Sequence, residues 1–391
     1  MRVLIVGMST RAAAESAARA GFAVTAIDAF GDLDQHPSVR ALSLPRDFGA
    51  PITARALAKA GRTIECDAVV YLSNFENHPS AVSMLAARRA LWGNAPAVLR
   101  RVRDPGLLAR TLGTMPGCSA AMVREPGPDI PEGAIDWLVK PVASGGGHGI
   151  RRWRRGTRLP HRHYRQEFVE GTAGSVVFVA DGGRAVPLGV SRQLVAERAF
   201  GAAGYRYCGS ILAAPGDAQF ASGETLVAAA HTLAGAVAAA FGVVGVNSVD
   251  FVARAGVPCA IEVNPRWSSS MELVERLYGL SVFGLHAAAC IDGTLPELDL
   301  VQLRRGAGAV GKAIVFARRD VAVGDTRAWV PDDDAGNAAV IRDIPRPDEC
   351  IPTGRPICTV FATGGDARAC HAALVRRAAM VYQQLAEWER S

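Results

Sequence analysis

The chain has 391 residues, a net charge of +6, 49% hydrophobic and 20% charged residues. That length asks for about two to four structural units, and the composition is that of a soluble globular protein, which excludes disordered and fibrous classes. No apolar run reaches the roughly 18 residues of a membrane span, because Arg, Glu or His interrupts the Ala-rich segments, so no membrane partner is expected.

The eight cysteines lack any C-x-x-C pair, which argues against a disulfide framework and a zinc site. Positive charge comes mostly from arginine. The run Arg151, Arg152, Arg154, Arg155, Arg158, Arg162 and Arg165 has only Trp153 and Tyr164 as interleaved aromatics. Nucleic acid is therefore set aside in favour of acidic small molecules. The opening Met1-Arg2-Val3-Leu4-Ile5-Val6-Gly7 lacks a cleavage site and reads as a buried strand, so the expected compartment is the cytoplasm.

In chain order, a strand over residues 3–6, a helix over 10–20 stopped by Gly21, and a strand over 23–27 predict a βαβ start and a doubly wound parallel sheet. Gly7-Met8-Ser9-Thr10-Arg11 does not supply the G-x-G-x-x-G turn, so a nicotinamide or flavin fingerprint is absent. A buried strand over 67–72 ends in Ser73-Asn74-Phe75-Glu76-Asn77. Asn74 and Glu76 then sit past the carboxyl end of a parallel strand, where open sheets bind ligands.

A helix over 104–112 is broken by Pro116-Gly117, and Pro126-Gly127-Pro128 with Pro131 leads to a strand over 136–141. Ser144-Gly145-Gly146-Gly147-His148-Gly149 follows, then a strand over 150–153. Successive glycines let backbone N–H groups approach phosphate oxygens, and Lys140, at the end of an apolar strand beside them, is a candidate point charge for a phosphate. The loop runs strand to strand and lacks a G-K-[S/T] ending, which disfavours P-loop chemistry.

Strands are expected over 167–180 and 185–190, around an Asp181-Gly182-Gly183 turn. Ser191-Arg192-Gln193 ends the second of these, and Tyr205-Arg206-Tyr207-Cys208-Gly209-Ser210 follows a Gly-rich bend. Arg192 and Arg206 are candidate clamps for a substrate carboxylate, with Gln193 and Tyr207 beside them.

A long Ala-rich helix over 223–241 leads into Asn247-Ser248-Val249-Asp250-Phe251 and, after a turn, Ala260-Ile261-Glu262-Val263-Asn264-Pro265-Arg266. A hairpin around Ala255, Gly256 and Val257 sets Asp250 opposite Glu262, with Asn264 on the same face. Alternation sends Val249, Phe251, Ile261 and Val263 to the other face. Two carboxylates and an amide suit a hard cation such as Mg²⁺ (Mn²⁺ as the substitute), which shares its remaining positions with water and nucleotide phosphates.

Helices over 270–277 and 282–291, strands over 312–316, 339–341 and 356–362, and a helix over 367–387 complete the chain. The expected units are residues 1–99, 100–165, 166–300 and 301–391, the last either a small β-rich lobe over the active site or a homodimer surface.

Lys140-Pro141 with its glycine loop, then Gln166-Glu167-Phe168-Val169-Glu170-Gly171, then Asp250 and Glu262-Val263-Asn264-Pro265-Arg266 resemble, in that order, an ATP-grasp carboxylate-amine ligase. The resemblance covers roughly residues 1 to 300. It implies an ATP-grasp fold, α/β plus α+β, with an amino-terminal doubly wound parallel-sheet domain and a carboxyl-terminal β-rich extension.

It further implies ATP clamped between two lobes. Gln166, Glu167, Phe168 and Val169 would read adenine, and Lys140, Ser144, Gly145, Gly146, Gly147, His148 and Gly149 would hold phosphates. Asp250, Glu262 and Asn264 would ligate Mg²⁺, while Arg266 faces the transferred phosphate. Two steps depart from the pattern: Asp104-Pro105 stands where a second phosphate lysine is common, and Thr172-Ala173-Gly174-Ser175 where a ribose acid is. Arg103, Arg165 and Glu170 are the candidates to take over those contacts.

Gly7-Met8-Ser9-Thr10-Arg11-Ala12, Phe75-Glu76-Asn77 and Arg266-Trp267-Ser268-Ser269-Ser270-Met271-Glu272 are similar to a subgroup that includes tyramine-glutamate ligases of methanofuran-type cofactor assembly. That likeness adds Ser268 and Ser269 to the substrate residues. The implied reaction activates a small-molecule carboxylate as an acyl phosphate and joins it to an amine. A bicarbonate-using carboxylase of the same fold and a non-catalytic ATP-binding regulator are the alternatives.

Overall fold

The computed structural model describes residues 1–124, 135–213, 216–217, 219–220, 223–330 and 340–388. The expected turn at Pro126-Gly127-Pro128 and Pro131, and Ala339 of the strand expected over 339–341, lie outside them.

A five-stranded parallel sheet forms first, in the order Arg40–Ser43, Ala23–Asp28, Arg2–Val6, Ala68–Tyr71 and Ala90–Leu91. Its central strands are continuous apolar runs because helices cover both faces, and Leu4, Ile5 and Val6 are fully buried. A small antiparallel sheet follows, ordered Val123–Arg124, His163–Glu167, Trp137–Pro141 and Arg151–Arg152.

A nine-stranded sheet carries most of the rest, beside a two-stranded one of Val321–Ala322 and Cys350–Ile351. From Ser119–Ala120 at one edge the larger sheet runs through Val257–Asn264, Val244–Arg254, Thr172–Asp181, Ala185–Val195 and Tyr207–Leu212 to Ala309–Phe316, Pro356–Gly364 and Ile341–Arg342. The carboxyl-terminal strands thus extend this sheet, backed by the helix Ala367–Trp388.

The single strand expected over 167–180 is two strands in different sheets, His163–Glu167 and Thr172–Asp181. Gly171 makes the break. Its φ is +150°, and a Cβ there would lie 2.1 Å from the Ala253 carbonyl oxygen, so only glycine permits the crossing.

The helix Gly223–Phe241 is long and apolar enough to cross a membrane. Here its buried Leu226, Leu233, Val237 and Phe241 pack against Val176, Phe178, Val249 and Phe251 of the sheet. That contact fixes the outer face of the strands whose other face bears the candidate site.

His286 of the helix Val282–Ile291 ties the nine-stranded sheet to the segment just after the five-stranded one. Its Nδ1 accepts from the Val246 amide at 3.0 Å, and its ring also bonds the backbone of Trp92, directly after the strand Ala90–Leu91. Burial, partly offset by that Trp92 bond, pushes the imidazole down to about 4. A histidine lowered on folding resists a proton that the unfolded chain accepts, so stability is lost as pH falls from about 6.5 towards 4, by about 3 kcal/mol in all. Urea midpoints measured across that window are expected to fall in the native protein and to flatten in His286→Asn.

Candidate active site

The hairpin of Val244–Arg254 and Val257–Asn264 pairs Ser248 with Asn264, Val249 with Val263 and Asp250 with Glu262. Beyond Asp250 the register shifts, because the turn is the two-residue Ala255-Gly256, with φ of +48° and +80°, and Arg254 pairs with Val257. The expected three-residue loop is therefore corrected, and a bulge at Ile261 restores the Asp250–Glu262 pair. The bulge also turns Ile261 away from the buried Val249, Phe251 and Val263 and into the cleft.

Each oxygen donor on this face is chained to a neighbour. Asn264 Nδ2 donates to Asp250 Oδ2 at 3.0 Å, and Arg266 donates to Asn264 Oδ1 at 3.1 Å and to Glu76 Oε1 at 2.7 Å. Arg103 is paired with Glu262 and donates to the Val263 carbonyl at 2.9 Å and to Asn77 Oδ1 at 3.0 Å. Burial and the facing Glu262 push the Asp250 carboxyl up to about 6, against hydrogen bonds from Ser175, Gln193 and Asn264. Burial works to raise Glu262 as well, yet Arg103, Lys140 and Arg266 hold it below the usual carboxylate range.

Among the described residues no three His, Cys, Asp or Glu are grouped to hold a metal by themselves. Two facing carboxylates and an amide still fit a divalent cation, since a dication relieves the repulsion that raises Asp250, and water and phosphate complete such a shell.

Across the cleft, the buried Lys140 donates to Gln166 Oε1 at 2.9 Å, and Gln166 Nε2 donates to the Ile261 carbonyl at 3.0 Å. Ser144 Oγ donates to the His148 carbonyl at 2.6 Å. The Tyr207 amide donates to the Gly146 carbonyl at 3.1 Å, so the glycine loop rests on the start of the strand Tyr207–Leu212 in the nine-stranded sheet. Gly147 makes that approach feasible: its φ is +78°, and a Cβ would fall 1.8 Å from the Tyr205 carbonyl oxygen. The resulting cleft holds ≈ 480 Å³ of empty space including its open mouth, lined by Arg103, Lys140, Ser144, Gly147, Tyr164 and Glu262 among others.

Residues 116–270, which contain the glycine loop, Lys140 and the hairpin, match the family model described as ATP-grasp domain. The fold is ATP-grasp. A solved L-amino acid ligase from Bacillus licheniformis superposes with a TM-score of 0.67 at 16% identity, over 96% of each chain. The N5-carboxyaminoimidazole ribonucleotide synthetase of Thermotoga maritima gives 0.65 at 14%, over 96% of this chain and 97% of that one. Rhizobium etli pyruvate carboxylase gives 0.70 at 15%, over 96% of this chain, which spans 37% of the length of that one. No curated protein matches in sequence.

Within the ATP-grasp cleft, Glu167, Phe168 and Val169 do not line the space around Lys140. The Glu167 amide donates to the Met122 carbonyl and the Phe168 amide to the Asp136 carbonyl. Phe168 lies 3.4 Å under the Arg152 guanidinium, and Val169 is buried against Ala121 and Cys259.

The large ATP-grasp sheet carries a polar stripe. Glu262, Asp250, Ser175 and Ser191 lie side by side across four strands, and Gln193, Ser210 and Lys312 form the next row. Tyr207 Oη lies 2.9 Å from Ser210 Oγ and also bonds Ser269, while Ser270 Oγ lies 3.2 Å from Ser191 Oγ. Arg192 is not brought there: strand alternation puts it opposite Gln193, with its charge felt by the buried Cys370 thiol. Arg206 is likewise turned away, bonded to the Gly354 carbonyl and stacked 4.9 Å from the Phe316 ring.

Asn74 Oδ1 accepts from Asn77 at 2.5 Å, and Glu76, 2% exposed, keeps Oε2 without a partner. Ser268 Oγ and Arg266 Nε are also buried and unpartnered, so polar groups without protein partners collect around Arg266. A further set escaped sequence reasoning. Glu272 accepts from Arg11 at 2.9 Å and Lys312 at 2.8 Å, anchoring the helix that begins directly after Arg266–Ser270. The clue available in sequence was an acid just past Arg266, with nothing to name its partners.

Proposed function

We propose that this protein is an ATP-dependent carboxylate-amine ligase of the cytoplasm. The observation that carries the reading is the grouping of Asp250, Asn264 and Arg266 beside Glu262, which itself lines a cleft together with Lys140 and with Ser144, Gly145 and Gly147 of the glycine loop. When bound, ATP supplies the transferable phosphoryl group, and Mg²⁺ on Asp250, Glu262 and Asn264 offsets its charge.

Lys140 and the loop amides orient the phosphates, and the closed loop keeps water from them. Arg266 steadies the substrate carboxylate as its oxygen bonds to the γ-phosphorus and the bond to ADP breaks. The amine nitrogen then bonds to the acyl carbon and phosphate leaves. Glu76 Oε2, buried and without a partner, is the acceptor offered to the amine N–H.

The polar stripe and the unpartnered groups around Arg266 suit a polar amino acid such as glutamate as the acid. The subgroup likeness of the Arg266–Glu272 segment favours an aromatic amine in cofactor assembly. Phosphate release with ATP, Mg²⁺ and paired panels of amino acids and amines, followed by product mass, tests this. An amide product one water lighter than its two substrates is expected. Bicarbonate-dependent release would replace the reading with a carboxylase, and nucleotide binding without turnover would replace it with a regulator.

A further inference from the structure

Arg103 stands at a rigid corner. It closes the helix Pro96–Val102, its amide donating to the Leu99 carbonyl at 3.0 Å, and the next helix starts at once on Asp104, whose Oδ1 caps the Leu107 amide at 2.8 Å. With Pro105 locking the following φ, the backbone is pinned, so any rearrangement at this corner falls to the side chain.

The guanidinium is nearly enclosed, 12% exposed, and lines the cleft facing Lys140. It is committed to Glu262, to the Val263 carbonyl and to Asn77, while its Nε is buried with no partner. An arginine offers five donors in a fork suited to phosphate, and a buried donor left idle marks an arrangement that a further acceptor would complete.

Glu262 is also a proposed metal ligand, and the two roles compete, since Arg103 already pairs with one oxygen of that carboxylate. A cation bonded to that carboxylate would sit beside the guanidinium already paired with it, and like charges so close in a partly buried cleft repel strongly. Nucleotide phosphates entering with the cation bring anionic oxygens to the same space. Building on the ligase reading of the cleft, we propose that Arg103 guards Glu262 while the cleft is empty and passes to the nucleotide phosphates when cation and nucleotide enter together. Leaving Glu262 also loosens the contact to Asn77, which is bonded to Asn74, so the loaded state is felt by the segment that carries Glu76.

The test measures two affinities on the full chain. Mn²⁺ binding without nucleotide is followed by electron paramagnetic resonance, and Mg²⁺-ATP binding by calorimetry. Arg103→Ala is expected to tighten Mn²⁺ binding roughly tenfold, because Glu262 loses its internal partner, and to weaken Mg²⁺-ATP binding roughly tenfold. The opposite signs are the signature. Both affinities falling together, as in general loosening, or neither moving, would overturn the proposal. Arg103→Lys, measured beside it and in its place if the alanine variant does not fold, is expected to keep Mn²⁺ binding near the native level and to weaken Mg²⁺-ATP binding through loss of the fork. Mn²⁺ binding tightened as in alanine, or unchanged nucleotide binding, would overturn it. A native protein that binds no Mg²⁺-ATP would defeat the ligase reading itself, whereas native binding with unmoved variants defeats only the role of Arg103.

Discussion

Asp250→Asn is expected to lower Mg²⁺-dependent ATP turnover by roughly 10²–10³-fold, and Glu262→Gln by as much, with little change in fold. Both substitutions keep the side-chain shape. An asparagine in place of Asp250 would still offer an oxygen to Asn264, but it removes a negative charge from a site where two carboxylates face each other across the hairpin. Turnover unchanged in both variants would remove the metal assignment. The same pair predicts a pH signature. With the Asp250 carboxyl pushed up to about 6 by burial and by Glu262, the empty site holds a proton there that the unfolded chain releases near 3.8. The native state then binds more protons between those values, so this group makes the empty protein less stable as pH rises through the window. A dication reverses the effect by favouring the ionised form. Mg²⁺-ATP is therefore expected to raise the melting temperature strongly above about pH 7 and weakly below about pH 5. Asp250→Asn should flatten both trends, and an equal Mg²⁺-ATP effect at the two extremes would contradict the arrangement.

Arg266→Ala is expected to remove turnover, by roughly 10²–10³-fold, and also to destabilise the protein by about 3–5 kcal/mol. The second effect follows from Glu76, which is 2% exposed and whose Oε1 is held by Arg266 at 2.7 Å. Taking the guanidinium away leaves a buried carboxylate without its direct partner, with Arg103 the remaining cation near it. Adding Glu76→Gln to Arg266→Ala should recover most of the stability, read from the denaturant midpoint, without recovering activity. If the double variant is as unstable as the single one, the stability role lies with the Trp267 carbonyl or Asn264 contacts of Arg266 instead. If the single variant retains turnover, Arg266 does not face the reacting groups.

Local chemistry was legible where its period was short. Alternation in the 247–264 segment set Asp250 against Glu262, and the helices Gly223–Phe241 and Val282–Ile291 begin and end where composition puts them. The turn is the two residues Ala255-Gly256 where a three-residue loop is expected, and Asp250 keeps its partner because the bulge at Ile261 absorbs the difference. By its pattern Gly171 is a glycine inside one strand, whereas in the structure it is the point at which the chain leaves one sheet for another. Arg192 and Arg206 had suitable chemistry for a substrate carboxylate. Strand alternation turned the first to the far face, and a bond to the Gly354 carbonyl drew the second aside.

Carboxylate, amide and lysine positions, the glycine loop and the order in which they occur were present in the residues themselves, because a pleat or a tight turn joins neighbours a few positions apart. Which cations those acids meet was settled by packing. Arg103 reaches Glu262 from 159 residues away, Arg266 reaches Glu76 from 190, and Arg11 reaches Glu272 from 261. Pairings at such separations depend on how sheets and helices stack, and no local periodicity encodes the stacking.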